Sequence, residues 1–224
     1  SSAASDVYKR QVADVNGDEI TEILVGSEGG GLFILDSGGE VVDQVDMGHF
    51  VMSLSVADVN DDGLMEIIVG SADRHLYLLS RELRELWRFE TDSWVRDSLI
   101  YDVDDDGKKE ILFGTNSGTV YVLTPDGQVK YRWDMGSHVR DVAVISELNA
   151  DSTIILVALD NGWLYALSAA HSRAYESLVS SLTICSSSEL AEMLDESARL
   201  IEDREYRDAL ACLIRASMFR TIKW

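Results

Sequence analysis

An acidic nonapeptide returns three times at a fixed step of 44 residues. It reads D-V-N-G-D-E-I-T-E from Asp14, D-V-N-D-D-G-L-M-E from Asp58 and D-V-D-D-D-G-K-K-E from Asp102. A period of roughly 40–50 residues carrying several short apolar runs is the sequence signature of a β-propeller blade. Written in rows of 44, the chain aligns almost throughout. One run precedes each acidic loop: Val7–Ala13, Val51–Ala57, Val95–Tyr101 and Val139–Ile145. A second follows it: Glu22–Gly26, Glu66–Gly70, Glu110–Gly114 and Ile154–Ala158. A third starts at Leu32, Leu76, Val120 and Leu164, and a more polar fourth places Trp87, Tyr131 and Tyr175 in one register.

These runs are rich in Val, Ile, Leu and Tyr and are bounded by Gly, Asp, Asn and Ser, so they read as strands. The second and third are nearly continuously apolar, as in sheets covered on both faces. The expected fold is mostly β: four four-stranded blades over about 6–49, 50–93, 94–137 and 138–181, forming one propeller domain over 1–181. Two arrangements follow. The four blades close by packing alone, or they form part of a larger propeller.

After Ser181 the register changes. Ser188 and Glu189 suit a helix start, and Leu190, Met193, Leu194, Ser197 and Ile201 follow helical spacing. Tyr206, Leu210, Leu213 and Ile214 make a second stripe. The expectation for 182–224 is a helical hairpin packed on the propeller or on a partner. The ending M-F-R-T-I-K-W reads as interrupted.

The acidic loops carry the chemistry. Side-chain oxygens at loop positions 1, 3, 5 and 9, with a carbonyl from position 7, suit Ca²⁺, a hard ion that takes roughly 6–8 oxygens. The first site would use Asp14, Asn16, Asp18, the Ile20 carbonyl and Glu22. The second would use Asp58, Asn60, Asp62, the Leu64 carbonyl and Glu66. The third would use Asp102, Asp104, Asp106, the Lys108 carbonyl and Glu110. No Cys or His sits among them, which argues against zinc. In the first loop Glu19 stands at position 6, where the other two have glycine, so this site is expected to be weaker. The fourth row has Ile155 at position 9 and is expected to hold no ion. The competing reading of all three loops is Asx turns without metal.

The pattern D-x-[DN]-x-D-G-x-x-E before an apolar strand ending V-G resembles the FG-GAP repeat of integrin-α-type propellers. The stretch from Gly70 to Phe89 resembles the repeats of quinoprotein-type propellers. Rows that mix the two are similar to intracellular propeller scaffolds of the Bardet–Biedl type. The stretch from Glu205 is similar to the second helix of a tetratricopeptide unit. These resemblances imply a propeller fold. The role expected for the ions is structural, because three or four carboxylates in one short loop repel one another and a divalent cation removes that repulsion.

No catalytic set stands out. His49, His75, His138 and His171 form no nucleophile motif with a Cys or Ser, and no phosphate-cradling glycine loop is present. The formal net charge of -21 disfavours nucleic acid and anionic membrane surfaces as partners. No apolar run reaches the ~20 residues of a membrane span. The two cysteines, Cys185 and Cys212, fit free thiols better than a disulfide, which suggests a cytoplasmic location. A modest interaction set lies at the start of the first strand of each row: Phe50, Trp94 and His138 in one register, with Arg96 and Arg140 two positions on. Aromatics with Arg are enriched at interfaces; packing between blades is the alternative role. The sequence therefore points to a calcium-binding scaffold for protein partners or self-association, with an extracellular adhesion or carbohydrate-binding propeller as the competing class.

Overall fold

The computed structural model describes residues 7–145, 153–168 and the strand 182–185. Every element among them is a strand, and the strands form four separate antiparallel sheets, each a meander in chain order. Blade 1 comprises β1 (Val7–Ala13), β2 (Glu22–Ser27), β3 (Gly31–Leu35) and β4 (Val41–Asp46). Blade 2 comprises β5 (Val51–Ala57), β6 (Glu66–Ser71), β7 (His75–Leu79) and β8 (Glu85–Glu90). Blade 3 comprises β9 (Val95–Tyr101), β10 (Glu110–Thr115), β11 (Thr119–Leu123) and β12 (Val129–Asp134). Blade 4 comprises β13 (Val139–Ile145), β14 (Ile154–Leu159), β15 (Leu164–Ser168) and β16 (Leu182–Cys185).

One expectation is corrected here. The fourth strand of blade 4 is Leu182–Cys185, which pairs with β15, rather than the stretch around Tyr175. The helical hairpin therefore does not begin at 182. Tyr175, Cys212 and residues 186–224, the rest of the expected hairpin, lie outside the described residues. Backbone pairing, which must satisfy the edge of β15, overrides a register read from one aromatic.

The first strands of successive blades lie side by side, in the order β1, β5, β9, β13. Blades 2 and 3 bury β6 and β10 at every position. Blades 1 and 4 behave differently: β2 and β14 alternate buried with half-buried residues. Each flanking blade thus covers one face only. On blade 1 the half-buried face carries Ile23, Val25, Phe33 and Leu35.

Three core clusters lie between the blades. Leu24, Leu32 and Val51 meet Ile67, Val69 and Tyr77 between blades 1 and 2. Ile68, Leu76 and Val95 meet Ile111, Phe113 and Tyr121 between blades 2 and 3. Leu112, Val120 and Val139 meet Ile155 and Val157 between blades 3 and 4. One device repeats at each junction. The valine that opens a blade's first strand presses on the glycine near the end of the preceding blade's second strand. A Cβ added at Gly26 would lie 2.3 Å from Val51 Cγ1, at Gly70 2.7 Å from Val95 Cγ1, and at Gly114 2.2 Å from Val139 Cγ1. Ala158 occupies this place in blade 4, where no described strand follows on that face. The 44-residue period is thus a packing period: each row needs its glycine because the next row supplies a valine.

Candidate functional site: three acidic loops and one exposed cleft

The loops joining β1 to β2, β5 to β6 and β9 to β10 share one backbone. Position 4 is left-handed in all three (Gly17 φ 80°, Asp61 φ 59°, Asp105 φ 56°), and so is position 6 (Glu19 φ 69°, Gly63 φ 87°, Gly107 φ 85°). Asp tolerates this region better than most residues and Gly adopts it freely. The first loop places its glycine at position 4 and leaves Glu19 strained at position 6, the departure anticipated from the sequence.

Side chains brace the turn. The position-1 carboxylates of Asp14, Asp58 and Asp102 each accept backbone N–H bonds from positions 5 and 6. Position 5 accepts from position 7 at 2.8–2.9 Å. Position 9 accepts the N–H of the buried valine at position 2: Val15 to Glu22 at 2.9 Å, Val59 to Glu66 at 2.9 Å, Val103 to Glu110 at 3.0 Å. Asx turns are therefore real features of these loops. The turn alone does not account for the glutamates, which are 5%, 4% and 1% exposed respectively. A buried carboxylate is costly without a compensating charge.

The three loops meet that demand in three ways. In the first, the Asn16 amide donates to Glu22 at 3.2 Å and to Asp18 at 3.1 Å. In the second, burial pushes the Glu66 carboxyl up, and the neighbouring Asp62 and Asp58 push it further. Lys109 Nζ reaches that loop at the Asp58 carbonyl, 2.7 Å, and at Asp61, 3.3 Å. In the third, Lys130 Nζ lies 2.7 Å from Asp104, 3.0 Å from Asp106 and 2.8 Å from Glu110. Burial opposes charge on Lys130, but hydrogen bonds to Asp104, Glu110 and Asp106 hold its pKa well above the usual lysine range.

Among the described residues, the third loop alone gathers three carboxylates at metal-ligating spacing. The carboxylates of Asp102, Asp104 and Asp106 offer oxygens within 4.8 Å of one another. The first and second sets are not gathered in that way; they offer oxygens only, with a buried glutamate on which no ammonium lies among the described residues. In the third set an ammonium already lies on three carboxylates. Sequence reading passed over Lys130. The available signal was its row position, where rows one and two carry Val42 and Leu86. It also passed over links from each blade to the preceding loop: Arg81 to the Asn16 carbonyl, Lys109 to Asp61, Thr153 to Asp105. The fourth-row loop lies outside the described residues.

The interaction set divides in two. Phe50 and Trp94, each 46% exposed, line one cleft together with Glu28, His49 and Ala72. Their exposure favours a surface role over blade packing. Arg140 Nε bonds Asp160 at 2.7 Å, and His138 lies 3.5 Å from the same carboxylate. Hydrogen bonding from Arg140, with the charges of Arg96 and His138 nearby, holds Asp160 below the usual carboxylate range.

A further acidic pair lies on the innermost strands. Asp97 accepts the Val142 N–H at 3.1 Å and lies 3.6 Å from Lys9. Burial and hydrogen bonding with Asp141 push its carboxyl up to about 6.

No family model and no curated protein sequence matches the chain. Solved structures do. BBS1N in complex with ARL6DN matches with a TM-score of 0.60 at 17% identity, over 73% of this chain and 51% of that one. A second crystal of that complex gives 0.59 at 19%, over 74% and 54%. Sqt1 of Saccharomyces cerevisiae gives 0.59 at 17%, over 71% and 44%. This chain thus spans about half the length of the structures it matches. These neighbours are β-propeller-type folds, and the four sheets described here are blades of that type. Among the described residues, no helix is long and apolar enough to cross a membrane.

Proposed function

We propose that this chain is a non-catalytic β-propeller scaffold that mediates protein–protein interaction in a larger assembly, with acidic loops stabilised by calcium. The observation that carries the scaffold reading is the pairing of Phe50 and Trp94 on one exposed cleft. Aromatics of this kind bury much area at little entropic cost when a partner covers them. One structural neighbour was crystallised with a protein bound to it, which fits the same use of the fold.

The calcium reading rests on Glu66. It is buried against Asp58 and Asp62, and no described cation lies on it. A divalent ion would remove this repulsion and lock the connection between the first two strands of the blade. Asp58, Asn60, Asp62, the Leu64 carbonyl and Glu66 would hold it, with the equivalent residues in the first loop. Binding would then stabilise the fold by linkage.

Native mass spectrometry with calcium and then with EGTA tests the metal. Two or more ions per chain, lost together with a fall in Tm, are expected. An unchanged mass and melt would remove calcium from the proposal. Affinity purification with the parent chain and with Phe50→Ser/Trp94→Ser tests the scaffold. The variant is expected to keep its Tm and lose the proteins that the parent retains. Retention of the same proteins by both would place the interaction elsewhere.

A further inference from the structure

The third loop shares its pattern and backbone with the second. Lys108 and Lys109 replace Leu64 and Met65 at positions 7 and 8, and two further differences lie at the charge centre itself. Position 3 is Asp104 where the first two loops have Asn16 and Asn60. The β12 position facing the loop is Lys130, where blades 1 and 2 have Val42 and Leu86. The two differences are matched: a fourth carboxylate arrives together with an ammonium.

We propose that Lys130 is a tethered counter-cation that replaces the metal ion in the third loop, so that this loop folds without calcium while the first two take it. The second half of this statement rests on the calcium reading above; the first half does not. An ammonium has three donors, and three carboxylate oxygens receive Lys130 at 2.7, 2.8 and 3.0 Å. These oxygens belong to Asp104, Asp106 and Glu110, three of the four carboxylates that a calcium ion would require. The fourth, Asp102, accepts the N–H groups of Asp106 and Gly107, as Asp14 and Asp58 do from the same positions in their own loops, so the difference between the loops lies with Lys130. Asp104 is engaged further by the Tyr131 hydroxyl at 3.0 Å.

The pair is not a loose surface contact. The Lys130 side chain is 21% exposed, and its partner Glu110 is 1% exposed. Screening by solvent, which reduces most surface ion pairs to little, is weak here. One oxygen, Asp104 Oδ1, is buried without a hydrogen-bond partner. A single water satisfies one acceptor, whereas calcium needs roughly 6–8 oxygens at about 2.3–2.6 Å. Calcium and the ammonium compete for the same oxygens, and the ammonium is attached to the fold.

The test compares the parent chain, Lys130→Leu and Asp104→Asn/Lys130→Leu. The double variant gives the third loop the second loop's residues at position 3 and at the facing β12 position. Native mass spectrometry in calcium counts ions, and melting in EGTA reads the metal-free fold. The parent is expected to bind two ions. Lys130→Leu is expected to melt about 10 °C lower in EGTA, as for a buried ion pair losing one partner, and to recover in calcium with a third ion bound. The double variant, which removes a carboxylate with the ammonium, is expected to fold in EGTA and also to bind three.

Three ions on the parent would overturn the proposal, because Lys130 would then move aside. So would a Lys130→Leu melt in EGTA equal to that of the parent. If no chain binds calcium, the calcium reading fails, and the EGTA melts of the parent and the two variants still decide whether Lys130 serves as the counter-charge. Should Lys130→Leu fail to fold in either solution, the parent's ion count and the double variant's melt decide.

Discussion

The second and third acidic loops have the same nine-residue frame, the same two left-handed positions and the same buried glutamate bonded to a valine N–H. They differ in what balances the charge. Around Glu66 the nearest charged neighbours are carboxylates, and burial and repulsion both raise its pKa. Around Glu110 burial also raises the pKa, but Lys130 opposes it. The backbone of such a loop is therefore set by its Asx bonds and its left-handed positions, while the charge balance at its buried glutamate is set by a side chain some 20 residues further on. A motif of alternating acidic residues identifies the turn; it does not by itself identify the cation.

The sharpest way to break this contrast is to neutralise the two glutamates in parallel. Glu110→Gln leaves Lys130 short of one partner and is expected to destabilise by about 3 kcal/mol in EGTA. Glu66→Gln keeps an acceptor for Val59 and relieves repulsion, so its change in EGTA is expected to stay within about 1 kcal/mol. Urea denaturation of both variants measures the difference. Equal losses would mean that the two loops are balanced alike.

Calcium removal is the next largest effect. At free calcium about 100-fold above Kd, each occupied loop contributes about 2.7 kcal/mol. The fall in Tm on adding EGTA should therefore nearly vanish in a chain whose Glu22 and Glu66 are both changed to Gln. A full fall in that chain would place the ion in the third loop.

Asp97 supplies a third acidic environment for comparison, one with neither loop nor motif. Its carboxyl is raised from about 3.8 to about 6 by burial and by Asp141, against Val142 N–H and Lys9. A raised folded pKa means that its contribution is fully present below about pH 4 and is lost as pH rises through about 6. Asp97→Asn is expected to remove this decline, with a gain of about 2 kcal/mol at pH 7 and little change at pH 4. Parallel stability curves for variant and parent across pH 4–7 would contradict it.

The smallest effect separates strain from charge. Glu19 holds a left-handed φ of 69° at the place where the other loops have glycine. Glu19→Gly is expected to stabilise by about 1 kcal/mol, in calcium and in EGTA alike. A gain seen only in calcium would make Glu19 a matter of ion affinity rather than of backbone strain.

Much of the blade architecture was legible in the chain. The first strands of all four rows were read to the residue, and the second strands to within one residue at the C-terminal end. The 44-residue step made that possible, because a packing unit that repeats must repeat its valine, its glycine and its turn. The sequence put Phe50 and Trp94 in one register; that both are exposed on one cleft came from the structure. The fourth strand of blade 4 was not legible, since β16 joins β15 across residues outside any repeat and only the open edge of the sheet selects it. The split of the arginines and His138 toward Asp160 was not legible either.

By itself, then, the sequence determined the repeat, the strands and the three acidic turns, all of which depend on residues close along the chain. The tertiary structure decided which faces are covered, Glu66 and Glu110 being buried while the outer sides of blades 1 and 4 are not. It also decided that the third loop carries its own cation. These outcomes depend on what a later strand or a neighbouring blade places nearby, and Coulomb interactions and burial respond to distance in space rather than to distance in sequence.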